Sequence, residues 1–118
     1  MLSIAGPEKV YLACGITDMR RSIDSLAAIV QQYFNLDPFS SSLFVFCNRR
    51  KNMLKILHWE HNGFWLYFRR LEKETFQWPE GLSGNTILIG SRELNWLLTG
   101  LSIQQKQAHG KVDAKAVI

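Results

Sequence analysis

The sequence predicts a single α+β domain, in which an antiparallel β-meander of about four to five strands packs on one long amphipathic helix, followed by a short C-terminal helix. A chain of 118 residues with 47% apolar and 20% charged residues has the size and composition of one globular domain. One segment repeats its apolar residues with the helical period, and several short apolar runs separated by turn residues follow it. We expect one domain over residues 1–101 and a flexible tail over 102–118.

The long helix is predicted over residues 18–34. Its apolar residues recur at the spacing that places them on one face of an amphipathic helix. Thr17 or Asp18 is positioned to cap the first turn, and the segment Asn35–Pro38 ends the helix, because the residue before a proline resists the helical conformation. The predicted apolar face comprises Met19, Ile23, Leu26, Ala27, Val30, Tyr33 and Phe34.

Short apolar runs bounded by turn residues predict the strands. The loops within the meander hold about three to five residues, which favours antiparallel neighbours, because parallel neighbours need long crossovers. The Asn62-Gly63 pair lies between two of the runs and is a strong hairpin signal, since both residues tolerate positive φ. The predicted strands are Val10–Ala13, Leu43–Cys47, Met53–Trp59, Phe64–Leu71 and, shorter, Thr75–Trp78 and Ile87–Ile89.

A final short helix is predicted after the last strand. Ser91 is expected to cap it, its apolar residues run to Leu98, and Gly100 stands at the C′ position, where glycine is favoured. From about Ser102 onward the sequence has no hydrophobic period, which is typical of a loose tail.

The cysteines and the lengths of the apolar runs predict a cytoplasmic protein with no membrane partner. Cys14 and Cys47 are most simply free thiols in a reducing compartment. No apolar run reaches the roughly 20 residues that a membrane helix needs. The segment Met1–Pro7 is too short for a signal peptide and lacks its positive flank.

Basic residues are expected to gather at one end of the predicted sheet. The chain has 14 Lys+Arg against 10 Asp+Glu, a formal net charge of +4. The strands Leu43–Cys47, Met53–Trp59 and Phe64–Leu71 are expected to run up and down in turn, so the loops after the first and the last of these three lie at the same end. A helix antiparallel to Leu43–Cys47 returns its N-terminus to that end. The carboxylates expected nearby are Asp18, Glu72 and Glu74. The cations expected at this end are Arg20, Arg21, Arg49, Arg50, Lys51, Arg69, Arg70 and Lys73.

These cations leave two interpretations open. Most of them are arginines, whose planar guanidinium groups make paired hydrogen bonds to phosphates. A clustered basic surface favours a polyanion, because each neutralised phosphate releases condensed counterions. However, a net charge of +4 is modest, so the same residues also fit solvated loops or a surface that docks onto an acidic protein.

Aromatic residues are expected on the sheet face that the long helix does not cover. We assign Trp59, Trp65 and Tyr67 to that face. Aromatic platforms of this kind stack single-stranded bases in some proteins. More often such a face is buried, and residues 82–98 or a partner subunit are expected to cover it, because one helix is too small to do so.

No catalytic site, metal site or cofactor is predicted. The chain has no Cys-x-x-Cys pair to anchor structural zinc, no Gly-rich phosphate loop and no nucleophile elbow. The residues of zinc-ligand type are Cys14, Cys47, His58 and His61, and only the two histidines are close in the sequence. The carboxylates Asp18, Asp24, Asp37 and Glu60 lie in one predicted helix and in separate loops, so we do not expect them to converge on a two-metal centre.

Several short segments form an ordered series over about residues 10–100. They are Val10–Arg21, Leu36–Phe39, Leu43–Arg50, Leu54–Leu57, Gly63-Phe64, Arg70–Glu72 and Phe76–Pro79. Each segment alone is weak evidence for a family, but the ordered series is specific. It resembles the TnpB accessory protein, the second-open-reading-frame product, of the IS-sixty-six (IS66) family of bacterial insertion sequences.

The resemblance implies an accessory role in transposition, alongside a separate and larger transposase that performs strand transfer. Together with the expected basic end, it favours DNA and the transposase as partners, and the sequence leaves open whether the protein is a monomer or a homodimer. Our first hypothesis is a non-enzymatic accessory factor whose eight cations bind DNA phosphates at or near the ends of the element. The alternative is a protein–protein adaptor that docks onto the transposase without contacting DNA.

Overall fold

The computed structural model describes residues 9–80 and 83–103, which form a five-stranded mixed sheet with one helix on each face. The strands lie in the order β4-β3-β2-β1-β5. The elements are β1 (Val10–Ala13), α1 (Ile23–Gln32), β2 (Leu43–Cys47), β3 (Met53–Glu60), β4 (Gly63–Arg70), β5 (Thr86–Ile89) and α2 (Ser91–Leu98).

The predicted antiparallel meander on one long helix is wrong, because β1 and β2 are parallel. Val10 pairs with Leu43 in that ladder, and α1 is the crossover between the two strands. The segment 14–42 is long enough for such a crossover, which the short loops of the meander are not. Among the five strands of the described sheet, β2, β3 and β4 alone form the expected up-and-down series. β5 adds to the free side of β1 as an antiparallel strand, with Val10 opposite Ile89.

The helix α1 is much shorter than the predicted 18–34, because both predicted ends adopt other local structure. Asp18 does not cap the helix. Its carboxylate accepts hydrogen bonds from the backbone and the side chain of Arg20, and these bonds close a turn before the helix begins. The N-cap is Ser22, whose side chain makes no capping bond. At the other end Tyr33 is the C-cap and Asn35 takes a positive φ of 56°.

Two further local predictions are corrected. The β3–β4 turn consists of His61 and Asn62, with φ of 52° and 68°, so it lies one residue before the predicted Asn-Gly pair. Gly63 instead pairs with Glu60 as a strand residue. The segment 75–78 is not a strand, because it crosses the face of the sheet and buries Phe76 and Trp78.

The apolar side chains of the sheet form two clusters, one on each face. On the face that we call the α1 face, Leu26 and Val30 pack on the sheet. On the other face, the α2 face, Leu94 and Leu97 of α2 do so. The indole nitrogen of Trp78 donates a hydrogen bond of 3.2 Å to the carbonyl oxygen of Ala13, which ties the 71–80 connection to β1. The sheet residues of the α1-face cluster include Phe44, Phe46 and Leu57, and those of the α2-face cluster include Leu12, Val45 and Ile56.

The N-cap of the C-terminal helix lies one residue earlier in the sequence than expected. Gly90 is the N-cap of α2 in place of Ser91, and its N–H donates to the Glu93 carboxylate at 3.1 Å. Gly100 follows the C-cap with a φ of 88°. Ile103 is buried in the α2-face cluster, and the rest of the predicted tail, 104–118, lies outside the described residues. Within the described ranges, no helix is long and apolar enough to cross a membrane.

Candidate nucleic-acid interface

The strand directions bring the basic loops to one end of the sheet, which we call the basic end. β1, β2 and β4 finish there, and β3 and β5 begin there. The N–H of Thr17 donates to the Cys47 carbonyl at 2.8 Å, which ties the loop after β1 to the end of β2. Arg70 pairs with Met53, next to the β2–β3 turn. The cations at or next to this end are Arg20, Arg21, Arg49, Arg50, Lys51, Arg69, Arg70 and Lys73.

Four of these arginines line one open cleft of about 910 Å³ at the basic end. Arg20 and Arg21 come from the loop before α1, and Arg49 and Arg50 come from the β2–β3 turn. The Lys55 ammonium on β3 donates to the carbonyl of Arg21 at 2.7 Å and so anchors the first loop over the sheet. The cleft thus joins cations that are far apart in the sequence.

The β2–β3 turn holds its two arginines in a defined backbone. The Asn48 side-chain oxygen accepts the N–H groups of Asn52 and Met53 at 3.1 and 3.0 Å, which closes the turn from within. Arg49 and Arg50 are exposed at its tip, and neither pairs with a carboxylate among the described residues. Their charges are therefore available to a ligand.

Arg20 is already paired within the loop. Its guanidinium donates to both oxygens of Asp18, at 2.7 Å for the shortest bond. The hydrogen bonds from Arg20 hold the pKa of the Asp18 carboxyl well below its usual range, and those bonds raise the pKa of Arg20. Arg20 thus offers an external anion less net charge than Arg49 or Arg50.

The remaining cations differ in pairing and in the face they occupy. Lys51 forms an ion pair with Glu80, and Arg70 pairs with Glu72 at 2.9 Å. Glu80 was not expected here, because only the path of the 71–80 connection brings it back to the turn. Arg69 stands opposite Leu54 on the α2 face, while Arg70 is on the α1 face with the cleft.

Lys73 is exposed in the turn after β4, so it remains at the basic end with no carboxylate partner among residues 9–80 and 83–103. The cleft also has apolar residues in its lining. Ile16 and Tyr33 line it and are 52% and 70% exposed. The sequence predicts Tyr33 on the apolar face of the helix, but α1 ends at Gln32 and leaves the Tyr33 ring in solvent.

A family model described as "IS66 Orf2 like protein" matches residues 8–108. The chain belongs to this family. The matched range includes every cation of the basic end. Membership identifies an accessory protein associated with an insertion sequence. It confirms the resemblance drawn from the ordered segments.

Two relatives of this IS66 Orf2-like protein come from Sinorhizobium fredii (strain NBRC 101917 / NGR234). The uncharacterized protein y4hO is 36% identical over 99 residues, which cover 84% of this chain and 85% of that protein. The uncharacterized protein y4jC is 28% identical over 93 residues, or 79% of each chain. No solved structure matches the chain.

The aromatic residues of the IS66 Orf2-like chain do not form the single face that we expected. Trp59 lies on the α1 face, because it pairs with Phe64, and Phe39 packs edge-on against it with ring centroids 4.9 Å apart. Trp65 and Tyr67 do lie on the α2 face, where their rings stack at 6.0 Å. α2 and the 71–80 connection cover much of that face but leave Trp65 52% exposed.

The residues of zinc-ligand type are dispersed. His58 is buried on the α2 face, whereas His61 is exposed in the β3–β4 turn. Cys47 is buried, and burial raises the pKa of its thiol to about 11. In the part of the chain that the structure describes, no three His, Cys, Asp or Glu residues are grouped so as to hold a metal ion.

Proposed function

We propose that this IS66 Orf2-like protein is a non-enzymatic accessory factor of transposition that binds DNA phosphates through its basic end. The observation that carries the proposal is the cleft in which two sequence-distant loops present four arginines. Arg49 and Arg50 are the main contacts, because they are exposed on a closed turn and have no carboxylate partner among the described residues.

Binding would be driven by counterion release. Each phosphate that a guanidinium neutralises frees condensed cations from the DNA, and the fork of donors makes two bonds to one phosphate. Arg21 and Lys73 add to the same field. Arg20 and Arg70 contribute less, because Asp18 and Glu72 already neutralise them.

Phosphate contacts of this kind fix orientation on DNA and carry little sequence information. The protein would therefore bind DNA at or near the ends of the element, and the transposase or the shape of the DNA would select the site. Lys51, paired with Glu80, and Arg69, on the other face, are secondary in this proposal.

The test compares two double variants with equal changes in charge. Arg49→Gln/Arg50→Gln removes two cations of the cleft, and Lys9→Gln/Arg92→Gln removes two exposed cations elsewhere. We expect the first variant to lose affinity for element-end duplex and to reduce the salt slope by about 2, and the second to do neither. Equal losses in both variants would mean that net charge, not the cleft, accounts for binding.

A protein–protein adaptor is the second candidate, and the aromatic cluster of Phe39, Trp59 and Phe64 favours it. Phe39 is 53% exposed and lies with its neighbours near the β3–β4 turn, at the opposite end from the cleft. Co-purification with the transposase in high salt and nuclease, together with no DNA binding, would support this function instead. If Trp59→Ala left that association unchanged, the aromatic cluster would not be its docking surface.

A further inference from the structure

We propose that two copies of this chain join through the outer edges of β4, as antiparallel strands related by a two-fold axis at Tyr67, to form one continuous ten-stranded sheet. β4 is the last strand in the sheet order, and among the described residues no strand pairs with its outer side. Such an edge offers unpaired backbone groups to another chain.

The hydrogen bonds of the sheet determine which backbone groups point outward. The N–H of Leu71 donates to the Asn52 carbonyl at 2.8 Å, in the same register as the β3–β4 ladder. Because bonding alternates along an antiparallel strand, the odd-numbered residues of β4 bond to β3 and the even-numbered ones face away. The outward groups belong to Phe64, Leu66, Phe68 and Arg70.

The edge lacks the features that usually prevent pairing. β4 is an eight-residue strand with no proline or lysine, and its charged residues stand only at its end. Trp65 and Phe68 are 52% and 54% exposed on its two faces. The edge at β5 has only four residues, so it would supply fewer hydrogen bonds.

A second copy fits this edge because the outward groups are symmetric about Tyr67. An antiparallel register with Tyr67 opposite its own copy places Leu66 against Phe68 and Phe64 against Arg70 of the second copy. Every outward N–H and C=O of both strands then has a partner, and no two like charges oppose each other. The axis is perpendicular to the sheet, so each face continues across the interface.

The same register is complementary in charge. It places Trp65 opposite Arg69 of the second copy, and the Trp65 indole already donates to the Glu60 carboxylate at 3.0 Å. A guanidinium on that indole ring gains a cation–π contact and lies close to the Glu60 carboxylate. The two-fold axis repeats the contact, so that Arg69 of each copy has a partner on the α2 face, whereas the cleft lies on the α1 face.

The test is a disulfide placed on the axis. Tyr67 opposes itself in a non-hydrogen-bonded pair, where the Cα atoms approach to about 4.5 Å, within disulfide range. In a Cys14→Ser background, we expect Tyr67→Cys to form a covalent dimer under mild oxidation and the matched Leu66→Cys variant not to do so. Preferential cross-linking of Leu66→Cys would overturn the register, and monomers with no cross-link in either variant would overturn the dimer.

A charge swap tests the contact without a new cysteine. In sedimentation equilibrium of the full chain, Arg69→Glu should weaken dimerisation at least about tenfold, because two contacts are lost in each dimer. Glu60→Arg combined with Arg69→Glu should restore part of that loss, because the swap rebuilds the ion pair and not the cation–π contact. Failure of the double variant to recover association would contradict the Glu60–Arg69 contact. These measurements contain no DNA, so they are independent of the proposed function.

Discussion

The docking of α2 on the sheet is tested by shortening one of its buried leucines. Leu97 has no exposed surface and belongs to the α2-face cluster. Leu97→Ala removes its buried methyl groups and leaves a cavity, at a cost of about 2–5 kcal/mol in the free energy of unfolding. For a domain whose whole stability is about 5–15 kcal/mol, this is a large loss.

The assay is urea unfolding at one fixed protein concentration. A loss of about 3 kcal/mol, with a slope of about 1.5 kcal/mol per molar urea, lowers the midpoint by about 2 M. The matched control is Leu88→Ala on β5, whose side chain is 54% exposed, and we expect it to change the free energy of unfolding by less than about 1 kcal/mol. Similar small shifts in both variants would show that α2 does not close this face.

Three further predictions concern stability. Burial raises the pKa of the Cys47 thiol from its ordinary value of 9.0 to about 11 in the folded chain, so the neutral thiol contributes stability below pH 9 that is lost as the pH rises toward 11. The difference in free energy of unfolding between wild type and Cys47→Ala, measured in urea, should therefore narrow from pH 9 to pH 11. A difference that stays constant over this range would contradict the burial of the thiol. Trp78→Phe loses the bond to the Ala13 carbonyl and should cost about 1–2 kcal/mol in thermal unfolding, whereas an unchanged midpoint would argue against that bond. Gly100→Ala places a residue with a side chain at a backbone φ of 88° and should lower the free energy of unfolding by about 1–2 kcal/mol in the same thermal assay. An unchanged stability would refute the left-handed backbone at the end of α2.

The sequence predicts individual elements here better than it predicts their arrangement. The apolar runs of β2, β3 and β4 and the tight turn between the last two are visible as patterns, because hydrophobic alternation and turn chemistry are local. The parallel pairing of β1 with β2 is not local. A helix between two apolar runs fits either a helix packed on a meander or a crossover, and only the tertiary pairing decides between them.

The ends of α1 show the same limit. The predicted face had the right period, but the Asp18 side chain competes for nearby N–H groups and forms a turn with Arg20 instead of a cap. As a result, Arg20 and Arg21 reach the basic end in a loop tied to β2 through Thr17, and not in the first turn of a helix.

The candidate site was partly predictable for a topological reason. The ends of β2, β3 and β4 alone determine where Arg49, Arg50 and Arg70 lie, and these strands follow the predicted series. The period of two along a strand also separates Arg69 from Arg70. The Lys51–Glu80 pair was beyond prediction, because it depends on the path of an irregular connection.

The most direct test of the central claim, that the basic end binds DNA phosphates, is a salt titration of wild-type protein on element-end duplex. Four to six phosphate contacts predict that the logarithm of the association constant falls with the logarithm of salt concentration with a slope of about −4 to −5. No binding at about 50 mM salt, or a slope shallower than about −1, would contradict the claim.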